Sequence, residues 1–177
     1  MEAQSEPAVL LSAETTPFDF ESLFHEQYGH IAKVINRILG DPAKAEDLSV
    51  EVFWKLLRTP NAHGPGVNGW LYTTAVRKAL DELRIQSRRY KYEGLFSRSQ
   101  ITSTEYAESG TERQDRVRAT LAALGKRCAE ILVLRGEGFS YQEIAEALRL
   151  NPSSVGTLLS RAQEEFRKEY INRYGKP

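Results

Sequence analysis

Residues 139–166, FSYQEIAEALRLNPSSVGTLLSRAQEEF, constrain the fold more than any other stretch of the chain. Ser140 stands where it can cap a helix, and Glu143 follows three residues on, the spacing of a capping box. Ile144, Ala145 and Leu148 then share one face. Asn151-Pro152 stops that helix and starts another, because proline disfavours helical geometry in the residue before it and suits the first turn after it. Val155, Leu158, Leu159 and Ala162 form the inner stripe of the second helix. Two short helices crossing at a small residue, Ala145, make a helix-turn-helix, whose second helix enters the major groove of DNA. A plain hairpin in a helical bundle core would leave the same pattern.

The rest of the chain is helical by its periodicity, and alternating strand patterns are short and rare. A single cysteine, Cys128, excludes a disulfide framework and suits a reducing compartment. No apolar run is long enough to span a bilayer, so membrane insertion is not expected and the cytoplasm is the expected location. Net charge is zero, but the charges are segregated. Residues 1–69 carry a net −5, 70–92 a net +4, 93–112 a net −3 and 113–177 a net +4. Two basic blocks set apart by acidic ones suggest two separate, modest contacts with phosphate, although a solvated surface gives the same pattern.

Taken in order, residues 1–15 are polar and acidic and read as a tail. Thr16-Pro17-Phe18-Asp19 reads as a helix start with Thr16 as the cap. The helix carries Phe20, Leu23, Phe24, Ile31, Val34, Ile35 and Ile38 and ends at Gly40. Asp41-Pro42 opens a second helix, with Leu48, Val52, Phe53 and Leu56 inward and Glu46, Asp47, Glu51 and Lys55 outward. The Gly/Pro/Asn-rich segment 59–69 reads as a loop. A third helix is expected from Trp70 to about Arg89. Arg77, Arg84 and Arg88 lie along one stripe of it with Lys78 and Arg89 near, and Tyr90, Tyr92 and Phe96 follow. Cations that hold phosphates, beside rings that stack on bases, are what a nucleic-acid single strand requires. A solvated basic face is the plainer alternative. Residues 93–112 are rich in Ser, Thr and Glu and read as a flexible linker. Helices are expected at about 113–124 and 126–135, the latter burying Cys128, Ile131 and Leu132. The expected class is therefore all-α, with two small helical domains at 16–92 and 113–177 and the helix-turn-helix in the second.

Enzymatic constellations are missing from the pattern. His25-Glu26 resembles the start of a zinc-protease helix, but the motif needs a histidine four residues after the first, and Gly29 stands there. Asp41, Glu46, Asp47 and Glu51 read as a solvated acidic face. There is no phosphate-binding glycine loop and no nucleophile elbow. Neither a cofactor nor a metal is expected, and the chain does not read as an enzyme.

With both halves in view, residues 18–170 resemble a bacterial RNA polymerase sigma factor of the extracytoplasmic-function type, within the sigma-70 family. AEDLSVEVFWKLLR (45–58) is similar to the helix such factors dock on the polymerase clamp. WLYTTAVRKALDELR (70–84) is similar to their promoter-melting segment. KRCAEILVLRGEGFSYQEIAEAL (126–148) resembles the start of their C-terminal domain, and NPSSVGTLLSRA (151–162) occupies the recognition-helix position.

The resemblance implies a factor that binds core RNA polymerase and promoter DNA and directs where transcription starts. It implies that Glu46, Asp47, Glu51, Phe53 and Trp54 face polymerase, with the two aromatic residues as anchors. Arg77, Lys78, Arg84, Arg88, Arg89 and Tyr90 would hold the opened −10 strand, and Ser153, Ser154, Thr157, Ser160 and Arg161 would read the −35 duplex. An anti-sigma factor is a further partner the family admits. The chain departs from the family pattern at Arg77, where asparagine is usual, and at Gly156, Thr157 and Leu158, where Lys, Ser and Arg are usual. Arg149 stands in place of the usual turn glycine. This depleted recognition helix leaves room for a sigma-like decoy that binds a regulator without initiating transcription, and more remotely for an ordinary helix-turn-helix repressor.

Overall fold

The computed structural model describes residues 18–96 and 110–175. Its helices are α1 (Phe20–Leu39), α2 (Pro42–Leu57), α3 (Val67–Phe96), α4 (Gly110–Ala123), α5 (Lys126–Gly136), α6 (Tyr141–Leu148) and α7 (Pro152–Tyr174), with a 3-10 turn at Pro60–Ala62. Among the described residues there is no strand, in line with the all-α expectation.

The helix ends follow local chemistry. Asp41 caps α2, its carboxylate accepting from the Lys44 N–H at 3.0 Å, with Pro42 in the first turn. Gly40 closes α1 in the left-handed region at φ +72°. At the start of α1 the cap is Asp19, which accepts from the Ser22 N–H at 3.0 Å. The expected cap, Thr16, lies outside the described residues. Hydrogen bonds from Ser22, from its hydroxyl first and its N–H second, hold the Asp19 carboxyl below its ordinary pKa.

Two expectations of length are corrected. α3 begins at Val67, inside the expected loop, and runs to Phe96, past the expected domain edge at 92. α4 begins at Gly110, so both ends of the expected 93–112 linker are helical. A shift in composition does not end a helix. A cap, a proline or a competing side-chain bond does, and residues 90–96 hold no proline to force a stop.

α1, α2 and α3 bury Ile31, Val34, Ile35, Ile38, Leu48, Val52, Phe53, Leu56, Leu71, Ala75, Val76 and Leu80 against one another. α5, α6 and α7 do the same with Ala129, Ile131, Leu134, Ile144, Ala145, Leu148, Val155, Leu159 and Ala162. The two sets form one continuous cluster, because α3 also packs on α4, α5 and α6. Tyr72 of α3 meets Phe139 edge to face, with ring centroids 4.9 Å apart. Arg37 of α1 pairs with Glu137 at 2.6 Å. The guanidinium of Arg118 on α4 lies over Gly40, where a Cβ would stand 2.6 Å from its Cζ.

Candidate nucleic-acid interface

The helix-turn-helix forms as its caps dictate. The Ser140 hydroxyl accepts from the Glu143 N–H at 3.2 Å, and the Glu143 carboxylate accepts from the Ser140 N–H at 2.8 Å. The Ser140 N–H, and its hydroxyl after it, stabilise the charged carboxylate and hold the pKa of Glu143 below its ordinary value. Arg149 makes the turn at φ 54°, and Asn151 caps α7, accepting from the Ser153 N–H at 3.1 Å. Val155, Leu159 and Ala162 are buried, which turns Ser153, Ser154, Thr157, Ser160 and Arg161 out to solvent. Two of the five hydroxyl-bearing or charged groups are already engaged. Ser153 donates to the Asn151 side chain at 2.8 Å and Ser160 to the Gly156 carbonyl at 3.0 Å. Arg161 is in no ion pair among the described residues, so it is the open charged donor of the group, beside the Ser154 and Thr157 hydroxyls.

A second set of exposed groups flanks α7. Tyr141 is 46% exposed and the Arg135 guanidinium lies over its ring at 5.4 Å. Its Cε2 would stand 3.5 Å from a Cβ at Gly156, so the small residue lets the ring approach α7. Neither Tyr141 nor Arg135 stands out in the sequence. The only available signal was an aromatic residue directly after a helix cap.

The basic stripe of α3 is not one open surface. Arg88, Arg89 and Tyr90 are exposed, Tyr90 at 74%. Lys78 is bound to Glu51 of α2 at 2.5 Å. Arg77 donates through Nε and Nη2 to the two carboxylate oxygens of Glu130 on α5, at 3.1 and 3.4 Å. Arg84 pairs with Asp81 at 3.2 Å and donates to the Leu124 carbonyl at 3.4 Å. In this arrangement Arg77 and Arg84 are engaged by other groups of the protein, while Arg88 is exposed. Arg84 is largely covered, its side chain 17% exposed, whereas the Arg77 side chain is paired yet 48% exposed; their partners Leu124 and Glu130 lie 40 and 53 positions away in sequence.

On α2, Glu46, Asp47 and Glu51 are exposed and Trp54 is 55% exposed, with the Arg58 guanidinium 4.7 Å from its ring. Val50 and Leu57 flank Trp54 and are also exposed, making an apolar patch with an acidic edge. Phe53 is corrected: at 2% exposure it is core. Its ring sits 5.0 Å from Phe24 and 6.1 Å from Tyr28, so it anchors α2 to α1 and has no face to offer a partner. Cys128 lies between the helices of the second half. Burial, helped by Glu165, pushes its thiol up to about 11.

Sigma-70 region 2 matches residues 23–89, covering α1, α2 and most of α3, and Sigma-70, region 4 matches residues 114–164, covering the helix-turn-helix. The chain belongs to the sigma-70 family. Its relatives include RNA polymerase sigma factor YlaC of Bacillus subtilis, 29% identical over 84% of this chain and 90% of that protein. RNA polymerase sigma factor CarQ of Myxococcus xanthus is 26% identical over 84% and 87%. The RNA polymerase sigma-H factor of Pseudomonas aeruginosa is 29% identical over 80% and 81%. The sigma factor RpoE, solved in complex with the anti-sigma factor NepR from Bartonella quintana, shares the fold at a TM-score of 0.52. That likeness covers 85% of this chain and 96% of RpoE at 20% identity. In sigma-70 terms, the exposed face of α7 belongs to region 4, and the acidic apolar patch and the α3 cations belong to region 2. No helix among the described residues is long and apolar enough to cross a membrane.

Proposed function

We propose that this chain is a sigma factor that joins core RNA polymerase and directs initiation at particular promoters. The observation that carries this reading is the presence of both sigma-70 regions, in order, with the recognition face of α7 turned to solvent. Each half alone makes a weak grip on DNA. Polymerase holds both at once, so the second contact forms at high effective concentration. This accounts for a chain of zero net charge whose cations are gathered into separate blocks.

In this reading residues 16–92 and the turns that continue α3 form the polymerase- and −10-binding unit, and 113–177 form the −35-binding unit. Trp54, with Val50 and Leu57 beside it, enters an apolar recess on polymerase, and Glu46, Asp47 and Glu51 meet basic residues around it. Arg88, Arg89 and Tyr90 are the first groups to reach an opened strand, the cations on phosphate and the ring on a base. Arg161 reads guanine in the −35 duplex as a bidentate donor, with Ser154 and Thr157 beside it. An anti-sigma factor, of the kind found with RpoE, is a partner of the same class. The work is regulatory and takes place where the bacterial transcription machinery is.

Core polymerase mixed with the purified chain and a library of promoter fragments tests this directly, by sequencing the 5′ ends of the transcripts. Defined start sites that need the chain support the assignment. Binding to polymerase with no start site favours the second reading, a decoy that occupies a regulator. Two observations speak for the decoy: Gly156 in the recognition helix and the engagement of Arg77 by Glu130. Tight duplex binding without polymerase would instead mark an ordinary repressor and overturn both.

A further inference from the structure

A cavity of about 1040 Å³ opens between the C-terminal half of α1 and the helices α4, α5 and α7. That is the upper end of the range for small-molecule sites. Its floor is apolar, with Leu121, Leu132, Val133 and Phe166 half-buried against the core. Lys33, Arg37 and Arg113 stand exposed at its rim, and Arg118 lies deeper, its side chain 16% exposed. The one carboxylate in the lining, Glu137, is taken by Arg37 at 2.6 Å. Lys33 and Arg113 are in no ion pair among the described residues. Positive charge in surplus over low-dielectric walls concentrates anions in such a cleft.

Arg118 is the least satisfied of the four cations. Its ion pair, at 2.9 Å, is with Asp115, whose side chain is 67% exposed and screened by water. Its Nε is buried and has no hydrogen-bond partner among the described residues. Asn36 Oδ1, from the α1 side of the cavity, is buried and unpartnered as well. Buried side-chain polar atoms are nearly always bonded, so two orphans on residues of one cavity wall mark a place where the protein is incomplete by itself.

We propose that this cavity binds a small organic acid, one carboxylate on an apolar body. The carboxylate meets the Arg118 guanidinium, with Lys33 and Arg113 adding to the field, and the body lies on Leu121, Leu132, Val133 and Phe166. The lining requires both parts. An inorganic anion leaves the apolar floor wet, and an uncharged hydrocarbon leaves the cations unmatched. The site lies outside the sigma-factor reading and does not depend on it: it shares no residue with the acidic apolar patch of α2 or with the five exposed residues of α7 assigned to the −35 duplex.

The test uses the full chain and the fluorescent probe 8-anilinonaphthalene-1-sulfonate, an anion on an aromatic body, displaced in turn by decanoate, 1-decanol and acetate. Decanoate should displace the probe at about tenfold lower concentration than 1-decanol, the factor of one charge-assisted hydrogen bond, and acetate should not displace it. On a merely greasy surface 1-decanol would compete better. Arg118→Gln should weaken decanoate about tenfold and leave 1-decanol unchanged. Lys33→Gln, at an exposed position on which the fold does not depend, should weaken decanoate about threefold, as a screened charge does. Lys168→Gln removes an equal charge outside the cavity, from a side chain 74% exposed, and should change nothing. The site is refuted if 1-decanol competes as well as decanoate, if Lys168→Gln weakens decanoate as much as Lys33→Gln does, or if the chain binds neither the probe nor decanoate. It is also refuted if Arg118→Gln, with an unchanged circular dichroism spectrum, binds decanoate like the parent. Should Arg118→Gln fail to fold, Lys33→Gln and the three competitors still decide. None of these readouts involves transcription, so they judge the site even where the sigma-factor reading fails.

Discussion

Arg149 is the one non-glycine residue at positive φ among the described residues, at φ 54° and ψ 54°. It terminates α6 and sets the angle at which α7 leaves. Its side chain is exposed and takes part in no hydrogen bond or ion pair among the described residues, so removing it forfeits no contact. Its N–H does contribute, donating to the Glu146 carbonyl at 3.3 Å, and glycine keeps that bond. An L-residue held in the left-handed region costs about 1–2 kcal/mol. Glycine avoids that cost, but its freer unfolded chain returns about 0.5–1 kcal/mol. Arg149→Gly should therefore stabilise the fold by about 0.5–1 kcal/mol, a rise of about 1–4 °C in Tm for a chain of this size. Arg149→Asn should fall between, since asparagine tolerates this conformation, and Arg149→Ala should gain nothing. Thermal unfolding followed by circular dichroism measures the series. If alanine gains as much as glycine, the arginine side chain is the cause and the backbone strain is not. A drop in Tm for glycine would mean that the turn is unstrained.

Three further outcomes follow from the site. Phe53→Ala should cost about 3–5 kcal/mol in chemical denaturation, whereas Trp54→Ala should leave a folded chain that binds core polymerase about tenfold more weakly or worse. The reverse pattern would mean that the inner and outer faces of α2 are misassigned. Cys128 has its pKa raised, so the neutral thiol prevails until the pH approaches 11. At pH 8 its alkylation by iodoacetamide should run about a hundredfold slower than that of an ordinary protein thiol, and an equal rate would contradict the burial. Arg161→Ala should weaken binding to the −35 duplex by about 1–3 kcal/mol. Ser160→Ala should matter less because its hydroxyl already serves Gly156, and equal losses from the two variants would remove Arg161 from its reading role.

What could be read in advance was whatever the chain settles over three or four residues. The caps at Asp41, Ser140 and Asn151 are bonds between a side chain and a nearby N–H, so their spelling is their geometry. The exposed face of α7 was legible because Val155, Leu159 and Ala162 fix which side is inward. Thr16 and Asp19 both spell a cap, and only the bond to Ser22 selects Asp19 at the described start of α1. Phe53 and Trp54 are neighbours on one helix, and which of them is core depends on rings that arrive from α1. The fate of Arg77 was illegible for the same reason on a longer scale. Its partner lies 53 residues away, and no local pattern says that α5 will dock on α3.

Gly40 stops α1, and it is also a seat. Its missing side chain leaves the hollow that the Arg118 guanidinium fills from the other half of the protein. Any side chain placed there would evict a cation as well as burden a left-handed backbone. Damage at this end of α1 would thus be felt as a loosened seam between the two halves of the protein, as well as a frayed helix.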